Sequence, residues 1–357
     1  MNQQIRFCKS FDGTRIAYAM TGEGPPLVKA PHWFTHLEYE SRSPMWKPWI
    51  ESLSRSHRLL RMDARGCGLS DWNVADISFD AWVHDLETVV DAAGLDRFAL
   101  FGHSQGGAIA VEYAVRHPER VTHLVLLGSY ARGAMKREPS RQRVDELEAQ
   151  LKLIEVGWGR DDPSYRQMFA TQFMPSGTLE QLNSMSELQR ESATAENAVR
   201  VIRSLLSIDV REAASRVKCP TLVLHARGDR RAPFEEGLLL AGLIPDARLV
   251  TLETENHVLL PQEPAFRQFF EELEAFAPGP AGAAKSTTFP QLTAREAEVL
   301  ERIAQGLDNA QIAAHLGLSE KTVRNNITHI FDKLGVENRP QAIVLARNSG
   351  LGKSQPP

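Results

Sequence analysis

The chain has 357 residues, of which 42% are hydrophobic and 24% charged, and its formal net charge is −4. That composition excludes an intrinsically disordered chain, and the length exceeds what one compact domain needs and is comfortable for two. The slightly acidic balance gives no whole-chain sign of the basic footprint that nucleic-acid-binding proteins carry.

The beginning of the chain and its cysteines limit the location and the kinds of site. The first residues, MNQQIR, are polar and no run of about 18 apolar residues occurs, so we expect neither a signal peptide nor a membrane span. The three cysteines, Cys8, Cys67 and Cys219, form no CxxC pair, which favours reduced thiols in a cytoplasmic protein and argues against zinc. We expect no metal and no cofactor.

The front of the chain alternates strand-like and helix-like patterns, which is typical of an α/β sheet. Short apolar runs predict six strands: residues 26–30, 58–62, 98–101, 121–127, 221–225 and 248–252. Helical patterns between strands cover residues 83–93 and 107–116. The stretch from about 133 to 210 is charged, Met-rich and helical in pattern, and it predicts a helical insertion with helices at residues 144–156, 179–189 and 196–207.

A candidate nucleophile follows the third of these strands. Residues 102–107 read GHSQGG, which is a G-x-S-x-G sequence between a strand and a helix. A serine that projects from a tight strand-to-helix turn needs small neighbours so that the backbone can bend. The following helix N-terminus also offers an N–H to developing negative charge. We therefore predict that Ser104 is a nucleophile.

A serine nucleophile needs a base, and the base needs an orienting acid. In this kind of sheet the acid precedes the histidine in the chain. Asp229 follows the strand at 221–225, and His257 follows the strand at 248–252. We predict a catalytic triad of Ser104, Asp229 and His257; the alternative is a turn-forming aspartate and a structural histidine.

Two further motifs resemble the α/β-hydrolase family: DARGCGLSD at residues 63–71 and HPERV at 117–121. The resemblance covers residues 1–278 and implies an eight-stranded, mostly parallel sheet with a helical cap, here the insertion at about 133–210. The family usually has His-Gly after its first parallel strand, where this chain has Pro31-His32-Trp33. By position, the backbone N–H groups of Trp33 and Gln105 would form the oxyanion hole, and His32 in place of glycine reduces backbone freedom there.

Other side chains near this site have plainer interpretations. His103, beside the nucleophile, is expected to pack rather than to act as a second base. Four His and Glu side chains lack a recognised metal-ligand spacing and are interpreted as a pocket-rim loop: His32, His36, Glu38 and Glu40. Four aromatic residues leave two interpretations open, a ligand-pocket wall or ordinary core: Trp33, Phe34, Trp46 and Trp49.

A break in composition divides the chain. Residues 277–288 read APGPAGAAKSTT, which predicts a flexible connector. We predict a hydrolase-like domain at 1–278, a linker at 279–288 and a second domain at 289–357. Residues 1–278 hold 32 basic and 38 acidic side chains and the rest hold 9 and 7, so the whole-chain charge averages an acidic body and a slightly basic tail.

The tail has helix signals in close succession. Thr293 opens a capping box, TARE, before a helix that Gly306 ends. A second helix stops at Gly317, and a third, capped by Ser319, runs to about Leu334. A fourth short helix is expected at about residues 339–348.

The third helix of the tail is divided into two faces. Its buried face is predicted to hold Val323, Ile327, Ile330, Phe331 and Leu334. The opposite face carries polar groups suited to base edges and phosphates, namely Lys321, Arg324, Asn325 and Thr328. The second and third helices thus predict a helix-turn-helix; the alternative is a small helical bundle with a solvated polar face.

Four segments of the tail resemble the LuxR-type DNA-binding domain: LTAREAEVL (292–300), GLDNAQIA (306–313), LSEKTVRN (318–325) and KLGVENR (333–339). Asn326 departs from the family, which often has His there. The resemblance implies that Arg324, Asn325 and Thr328 approach bases, and that a second group holds phosphates, namely Lys321, Thr322 and Lys333. It also implies binding as a homodimer, often through the fourth helix, to near-palindromic double-stranded DNA.

The sequence leaves three functions open. The first is a LuxR-type regulator whose hydrolase-like domain binds, and in one version hydrolyses, a small-molecule signal that controls DNA binding. The second is an active serine hydrolase of the esterase or lactonase class, acting on an ester, lactone or thioester, with an appended DNA-binding domain. The third is a pseudoenzyme whose triad residues only bind ligand. Expected partners are double-stranded DNA, a small molecule and a second copy of the chain, and no membrane.

Overall fold

The computed structural model describes residues 3–160, 162–279, 289, 292–316, 318–349 and 351–352. The chain forms two compact units, residues 1–277 and 278–357. Residues 280–288 of the predicted linker lie outside the described residues, as does the predicted helix stop at Gly317. Within the described ranges, no helix is both long enough and apolar enough to cross a bilayer.

Eight strands build one sheet in the first unit. In chain order they are β1 (Gln4–Lys9), β2 (Arg15–Thr21), β3 (Pro26–Lys29), β4 (Arg58–Met62), β5 (Phe98–His103), β6 (Val121–Leu127), β7 (Thr221–Ala226) and β8 (Arg248–Leu252). The strands lie in the order β1-β2-β4-β3-β5-β6-β7-β8. Strand β2 pairs antiparallel with β1 and β4, and the strands from β4 to β8 pair in parallel. The mostly parallel eight-stranded fold expected from the sequence is confirmed.

The six strands predicted from apolar runs are all present. Strand β5 is buried along its whole length, because helices cover both faces of a parallel sheet. The prediction missed the first two strands: β1, none of whose residues is buried, and β2, which pairs antiparallel with it. Neither contains a continuous apolar run of the kind that marked the parallel strands.

In the part of the first unit that the structure describes, eleven α-helices lie between the strands or follow them. They are α1 (Leu37–Arg42), α2 (Trp46–Ser56), α3 (Phe79–Ala92), α4 (Gln105–Arg116), α5 (Arg141–Gly157), α6 (Pro163–Phe173), α7 (Leu179–Ser192), α8 (Ala195–Leu206), α9 (Arg211–Ala214), α10 (Phe234–Leu243) and α11 (Pro264–Phe276). Helices α5 to α9 come between β6 and β7, where the sequence predicted an insertion. The insertion folds over the sheet edge as a cap, and the Phe173 carbonyl at the end of α6 accepts the backbone N–H of His257 and Val258.

The described residues of the second unit form four α-helices: α12 (Ala294–Ala304), α13 (Asn309–Leu316), α14 (Glu320–Leu334) and α15 (Arg339–Asn348). Thr293 and Ser319 cap α12 and α14 with their side chains, as their positions in the sequence predict. Gly335 ends α14 with a φ of 64°, a conformation that glycine adopts without strain. The fully buried centre of this unit includes Val299, Leu300, Ile303, Ile312, Val323 and Ile330.

A buried ion pair joins the turn after β4 to helix α3. The Arg65 guanidinium is fully buried and donates two hydrogen bonds, both of 2.7 Å, to the two carboxylate oxygens of Asp85. The Ser10 hydroxyl, just after β1, donates to the same carboxylate at 2.6 Å. The family-like turn at residues 63–71 is therefore tied to α3 and to the edge of the sheet.

We expect Asp85→Ala to lower the free energy of unfolding of the first unit by about 2–4 kcal/mol, because it removes the buried carboxylate of the pair and leaves Arg65 only the partly exposed Asp12, at 2.8 Å, as an acidic partner. The six tryptophans all lie between residues 33 and 158, so urea unfolding followed by tryptophan fluorescence reports on this unit alone. Asp91→Ala is the matched control on the same stretch of chain. Its mostly exposed carboxylate pairs with Arg120, and its loss should cost about 0–1 kcal/mol. Equal losses in the two variants would show that burial of the Arg65 pair does not matter.

Candidate active site and candidate nucleic-acid interface

Ser104 lies in a strained turn between β5 and α4. Its backbone has φ 55° and ψ −125°, a left-handed conformation that non-glycine residues rarely adopt. Its neighbours must be small: a Cβ on Gly102 would lie 2.5 Å from Gly107 Cα, and one on Gly106 would lie 2.9 Å from the Pro31 carbonyl. The glycines of the G-x-S-x-G sequence are thus required by close backbone approach around Ser104.

Asp229 and His257 come together from the ends of neighbouring strands β7 and β8. His257 Nδ1 lies 2.6 Å from Asp229 Oδ2, and both side chains are buried. The other oxygen, Oδ1, accepts the backbone N–H of Arg231 at 2.8 Å and of Ala232 at 2.9 Å. Burial alone raises the pKa of Asp229, but the charge and hydrogen bond of His257 and the Ala232 N–H outweigh it, and the pKa lies below its ordinary value. The carboxylate is therefore ionised and holds the imidazole in one tautomer, with the proton on Nδ1.

The tautomer leaves His257 Nε2 as an acceptor. This atom is buried and has no hydrogen-bond partner among the described residues. The turn that carries Ser104 lies close by, because the ring of His103 stacks on that of His257 with centroids 5.3 Å apart. His103 Nε2 also donates to the His257 carbonyl at 3.2 Å. Burial, and then the nearby charge of His257, hold the pKa of His103 well below its usual range, so His103 is a neutral packing residue.

Two backbone N–H groups flank the Ser104 turn. Gln105 is the first residue of α4, so its N–H has no carbonyl one turn back within the helix. Trp33 follows the end of β3, on the neighbouring strand. Neither N–H donates to a carbonyl within the part of the chain that the structure describes. Both are thus available as donors to a ligand oxygen, which is the arrangement an oxyanion hole requires.

A lysine lies inside this region. Lys29, the last residue of β3, is 6% exposed, and its Nζ lies 2.9 Å from His32 Nδ1. The ammonium also lies 5.4 Å from the ring centroid of Trp46. Burial lowers the pKa of Lys29 to about 8, although the nearby Glu40 carboxylate opposes the shift. The same burial, with the charge of Lys29, holds the pKa of His32 well below its ordinary value.

The four aromatic residues that the sequence left open divide into two groups. Trp46 and Trp49 belong to the core, with ring centroids 6.3 Å apart, and Trp49 stacks on Phe101 and donates its Nε1–H to the Leu259 carbonyl at 3.1 Å. Trp33 and Phe34 face the cap instead, and the Trp33 ring lies 5.0 Å from that of Phe173. Phe173 in turn lies edge-on to His257, with centroids 5.7 Å apart. Cap and sheet thus share an aromatic wall beside the histidine.

Three of the four His and Glu side chains around residues 32–40 have separate partners, and Glu38 is exposed. His36 caps helix α1, and Glu40 forms a buried ion pair with Arg61 at 2.7 Å. His32 faces Lys29. Within the described ranges, no three His, Cys, Asp or Glu side chains are grouped as metal ligands.

Helix α14 presents a polar face in the second unit. Val323 and Ile330 are fully buried, whereas five side chains are exposed: Lys321, Thr322, Arg324, Asn325 and Thr328. The Thr322 hydroxyl lies 2.9 Å from that of Ser319 at the N-cap, and the Thr328 hydroxyl donates to the Arg324 carbonyl at 3.2 Å. The long side chains of Lys321 and Arg324 thus extend from a face that the domain itself does not cover.

Lys333 differs from these residues. Its Nζ lies 2.6 and 2.9 Å from the two carboxylate oxygens of Glu296, which is 4% exposed. Burial raises the pKa of Glu296, but the hydrogen bonds from Lys333 and Thr293 outweigh it, so that the pKa lies below its ordinary value. In this arrangement Lys333 joins α14 to the capping box of α12. A phosphate contact would have to compete with that ion pair, and we therefore leave Lys333 out of the interface.

Comparison with known families agrees with this geometry. A sequence profile described as alpha/beta hydrolase fold matches residues 38–171, and one described as bacterial regulatory proteins of the luxR family matches residues 290–346. An esterase from Exiguobacterium antarcticum superposes with a TM-score of 0.65 at 25% identity, covering 76% of this chain and 99% of that one. The first unit is an α/β-hydrolase domain. The chain as a whole joins this domain to a C-terminal LuxR-type DNA-binding domain.

Curated relatives match the hydrolase part. RutD of Azorhizobium caulinodans is 27% identical over 248 residues, which is 68% of this chain and 88% of that protein. The pimeloyl-(acyl-carrier protein) methyl ester esterase of Nitrosomonas europaea is 28% identical over 242 residues, covering 66% of this chain and 90% of that protein. The α/β-hydrolase domain is thus similar to esterases over most of its length.

Sequence reasoning missed three residues of this region: Lys29, Phe173 and Arg231. A charged residue inside the apolar run PLVKA was a signal for Lys29. Phe173 ends α6, which the pattern missed because its apolar residues do not gather strongly on one face. Arg231 follows Arg230 in the sequence, and nothing local distinguishes the one that turns inward.

The depressed pKa of Lys29 predicts a rise in stability at alkaline pH. Between pH 8 and 10.5 the unfolded chain holds a proton that folded Lys29 has lost, so the free energy of unfolding increases with pH in this interval. We expect Lys29→Met to lack this rise, which amounts to about 2–3 kcal/mol, when urea unfolding is followed by tryptophan fluorescence from pH 7 to 10.5. Parallel pH curves for the two proteins would contradict the burial of a charged lysine; tyrosines and other groups titrate equally in both.

Proposed function

We propose that this chain is a LuxR-type transcriptional regulator of the cytoplasm whose α/β-hydrolase domain binds a small-molecule signal and so controls DNA binding. The DNA-binding domain supports the regulatory half of the proposal. The hydrogen bond between Asp229 and His257, beside the Ser104 turn, supports the other half, because it prepares a site for a carbonyl compound. A signal changes DNA binding only if it binds two states of the protein with different affinities.

The same hydrogen bond favours a second function, hydrolysis of the signal or of another ester, lactone or thioester. Ser104 Oγ would attack the carbonyl carbon while His257 Nε2 takes its proton, and Asp229 would stabilise the imidazolium. The N–H groups of Trp33 and Gln105 would bind the oxyanion. Collapse would expel the alkoxide or thiolate with the proton from His257, and a water activated by His257 would then release the acid from Ser104. In a pseudoenzyme the same groups would only bind the ligand.

On DNA, we propose that α14 enters the major groove. Arg324, Asn325 and Thr328 would contact base edges, and Lys321 and Thr322 would contact phosphates. A single domain of this size offers few phosphate contacts, and the tail holds 9 basic against 7 acidic side chains. Tight binding would therefore require two copies of the chain on a near-palindromic site, as in the helix-turn-helix dimers.

The nucleophile is tested with a fluorophosphonate probe and mass spectrometry of the intact full-length protein. We expect one adduct on the wild-type chain and none on Ser104→Ala, because the probe reacts only with an activated serine. His257→Gln should label at least about 100-fold more slowly, since it removes the base. Ser41→Ala, in helix α1 and away from the site, is the control. An unlabelled wild-type protein would exclude hydrolysis and leave ligand binding alone.

The DNA interface is tested on a fragment selected from a random-sequence pool by the wild-type protein. We expect Arg324→Ala to weaken binding to this fragment by about 10- to 100-fold, because a bidentate arginine–base contact is lost, and Arg324→Lys to restore little of it. Arg302→Ala removes the same charge from helix α12, outside the helix-turn-helix, and should change binding little. Gel-shift titrations at one fixed salt concentration measure the difference. Equal effects of Arg324→Ala and Arg302→Ala would overturn the assignment of the α14 face.

A further inference from the structure

An arginine lies at the cap side of the candidate active site. Arg231 comes two residues after Asp229, and its backbone N–H binds that carboxylate at 2.8 Å. Its guanidinium lies between two aromatic rings, with Cζ 5.2 Å from the centroid of Trp33 and 5.1 Å from that of Phe173. Trp33 supplies one of the free backbone N–H groups, and Phe173 contacts the ring of His257. Arg231 thus contacts the side chain of the residue that supplies one candidate oxyanion-hole N–H, Trp33, and the ring that packs on His257, Phe173.

This guanidinium has no acidic partner among the described residues. No carboxylate lies within ion-pairing distance, and no described carbonyl or hydroxyl accepts a hydrogen bond from it, whereas its neighbour Arg230 pairs with Glu255 at 3.6 Å. Asp229 is the nearest acid in the sequence, but one of its carboxylate oxygens accepts a hydrogen bond from His257 and the other accepts backbone N–H groups. Burial lowers the pKa of Arg231, although Tyr130 and Asp229 oppose this shift. Arg231 is therefore a partly buried charge whose five N–H donors have no protein acceptor.

The inward position of Arg231 is unfavourable for the stability of the folded protein. A charge partly removed from water without a partner is unfavourable, and contact with two aromatic faces recovers only part of the loss. Arg230 shows that an arginine at this turn could instead reach the surface, where it is 79% exposed. An inward cation is expected where an anion is to be bound, since the ligand then supplies the missing partner.

The space beside Arg231 limits what that ligand can be. Trp33 and Arg231 line a cavity with side chains of the cap helices α5, α6 and α8, namely Leu147, Leu151, Ile154, Phe169, Ile202 and Leu206. Gln150 is the other polar residue of its lining. The cavity holds about 20 Å³, the room of about one water molecule, so a ligand must displace cap side chains to place a short apolar chain there and one anionic group on the guanidinium. The planar fork of arginine fits the two oxygens of a carboxylate.

We propose that Arg231 determines specificity for ligands that carry a carboxylate a few bonds from the carbonyl group, such as half-esters of short dicarboxylic acids or lactones of short hydroxy-dicarboxylic acids. The proposal rests on the proposed function, because it concerns the ligand of the same site. The chemistry of the sheet edge and the selection of the ligand are thus assigned to different groups: Ser104, His257 and Asp229 act on the carbonyl, and Arg231 selects the molecule that carries it.

The test compares monomethyl glutarate with dimethyl glutarate as substrates of the full-length protein. The two differ in one charge, and release of methanol is measured for both. We expect the ratio of kcat/KM for the half-ester to that for the diester to fall about tenfold or more in Arg231→Gln, chiefly through KM for the half-ester, and to fall less in Arg231→Lys. Arg230→Gln is the matched control and should keep the wild-type ratio. An unchanged ratio in Arg231→Gln would overturn the proposal.

A binding measurement separates this proposal from the proposed hydrolysis. If the fluorophosphonate labels the wild-type protein and the ratio does not depend on residue 231, hydrolysis stands and the carboxylate site fails. If the protein is not labelled, hydrolysis fails, and the carboxylate site is then judged by thermal stabilisation. Glutarate should raise the Tm of Ser104→Ala but not that of the Ser104→Ala, Arg231→Gln double variant. Stabilisation by inorganic phosphate and not by glutarate would show that the anion is not a carboxylate, and equal Tm shifts in the two proteins would overturn the site altogether.

Discussion

The hydrogen bond from His257 to Asp229 is the contact on which the rest of the hydrolase domain depends. It forms only because β7 and β8 lie side by side and end at the same edge of the sheet. Backbone N–H groups of the following turn donate hydrogen bonds to the second carboxylate oxygen, and these bonds help the buried acid to stay ionised. The cap completes the arrangement, since the Phe173 carbonyl fixes the backbone of His257. Sheet, turn and cap therefore all converge on one imidazole.

The sheet and the cap contribute different parts of the candidate site. The sheet edge supplies groups whose positions follow from strand pairing, such as the Ser104 turn. The cap supplies a wall whose shape depends on how its helices pack, and the aromatic contact between Trp33 and Phe173 joins the two layers. Arg231 lies at this junction. A change in the cap would alter which ligand fits without altering the groups that meet its carbonyl.

The DNA-binding domain uses a simpler principle. Its core is formed by apolar side chains that repeat at helical spacing, and the remaining face of α14 is left to solvent. Periodicity therefore predicted both the buried and the exposed side of this helix. Periodicity could not predict the ion pair of Lys333, because its partner, Glu296, is 37 positions away in the chain. The family resemblance had grouped Lys333 with Lys321 and Thr322, the residues of the same helix that are proposed to contact phosphates.

The sequence by itself determined six of the eight strands, the division into two domains with their family resemblances, and the strand ends at which Ser104, Asp229 and His257 lie. These are local properties, since apolar periodicity, helix caps and glycine-rich turns are set by neighbouring residues. Only the tertiary structure decided which groups the buried polar side chains contact. Lys29 against His32, and Arg231 turned inward beside Arg230 turned outward, depend on packing between elements distant in the chain. The partners of a buried charge are a property of that packing, so a local pattern such as the lysine in PLVKA can mark the residue but cannot name its contacts.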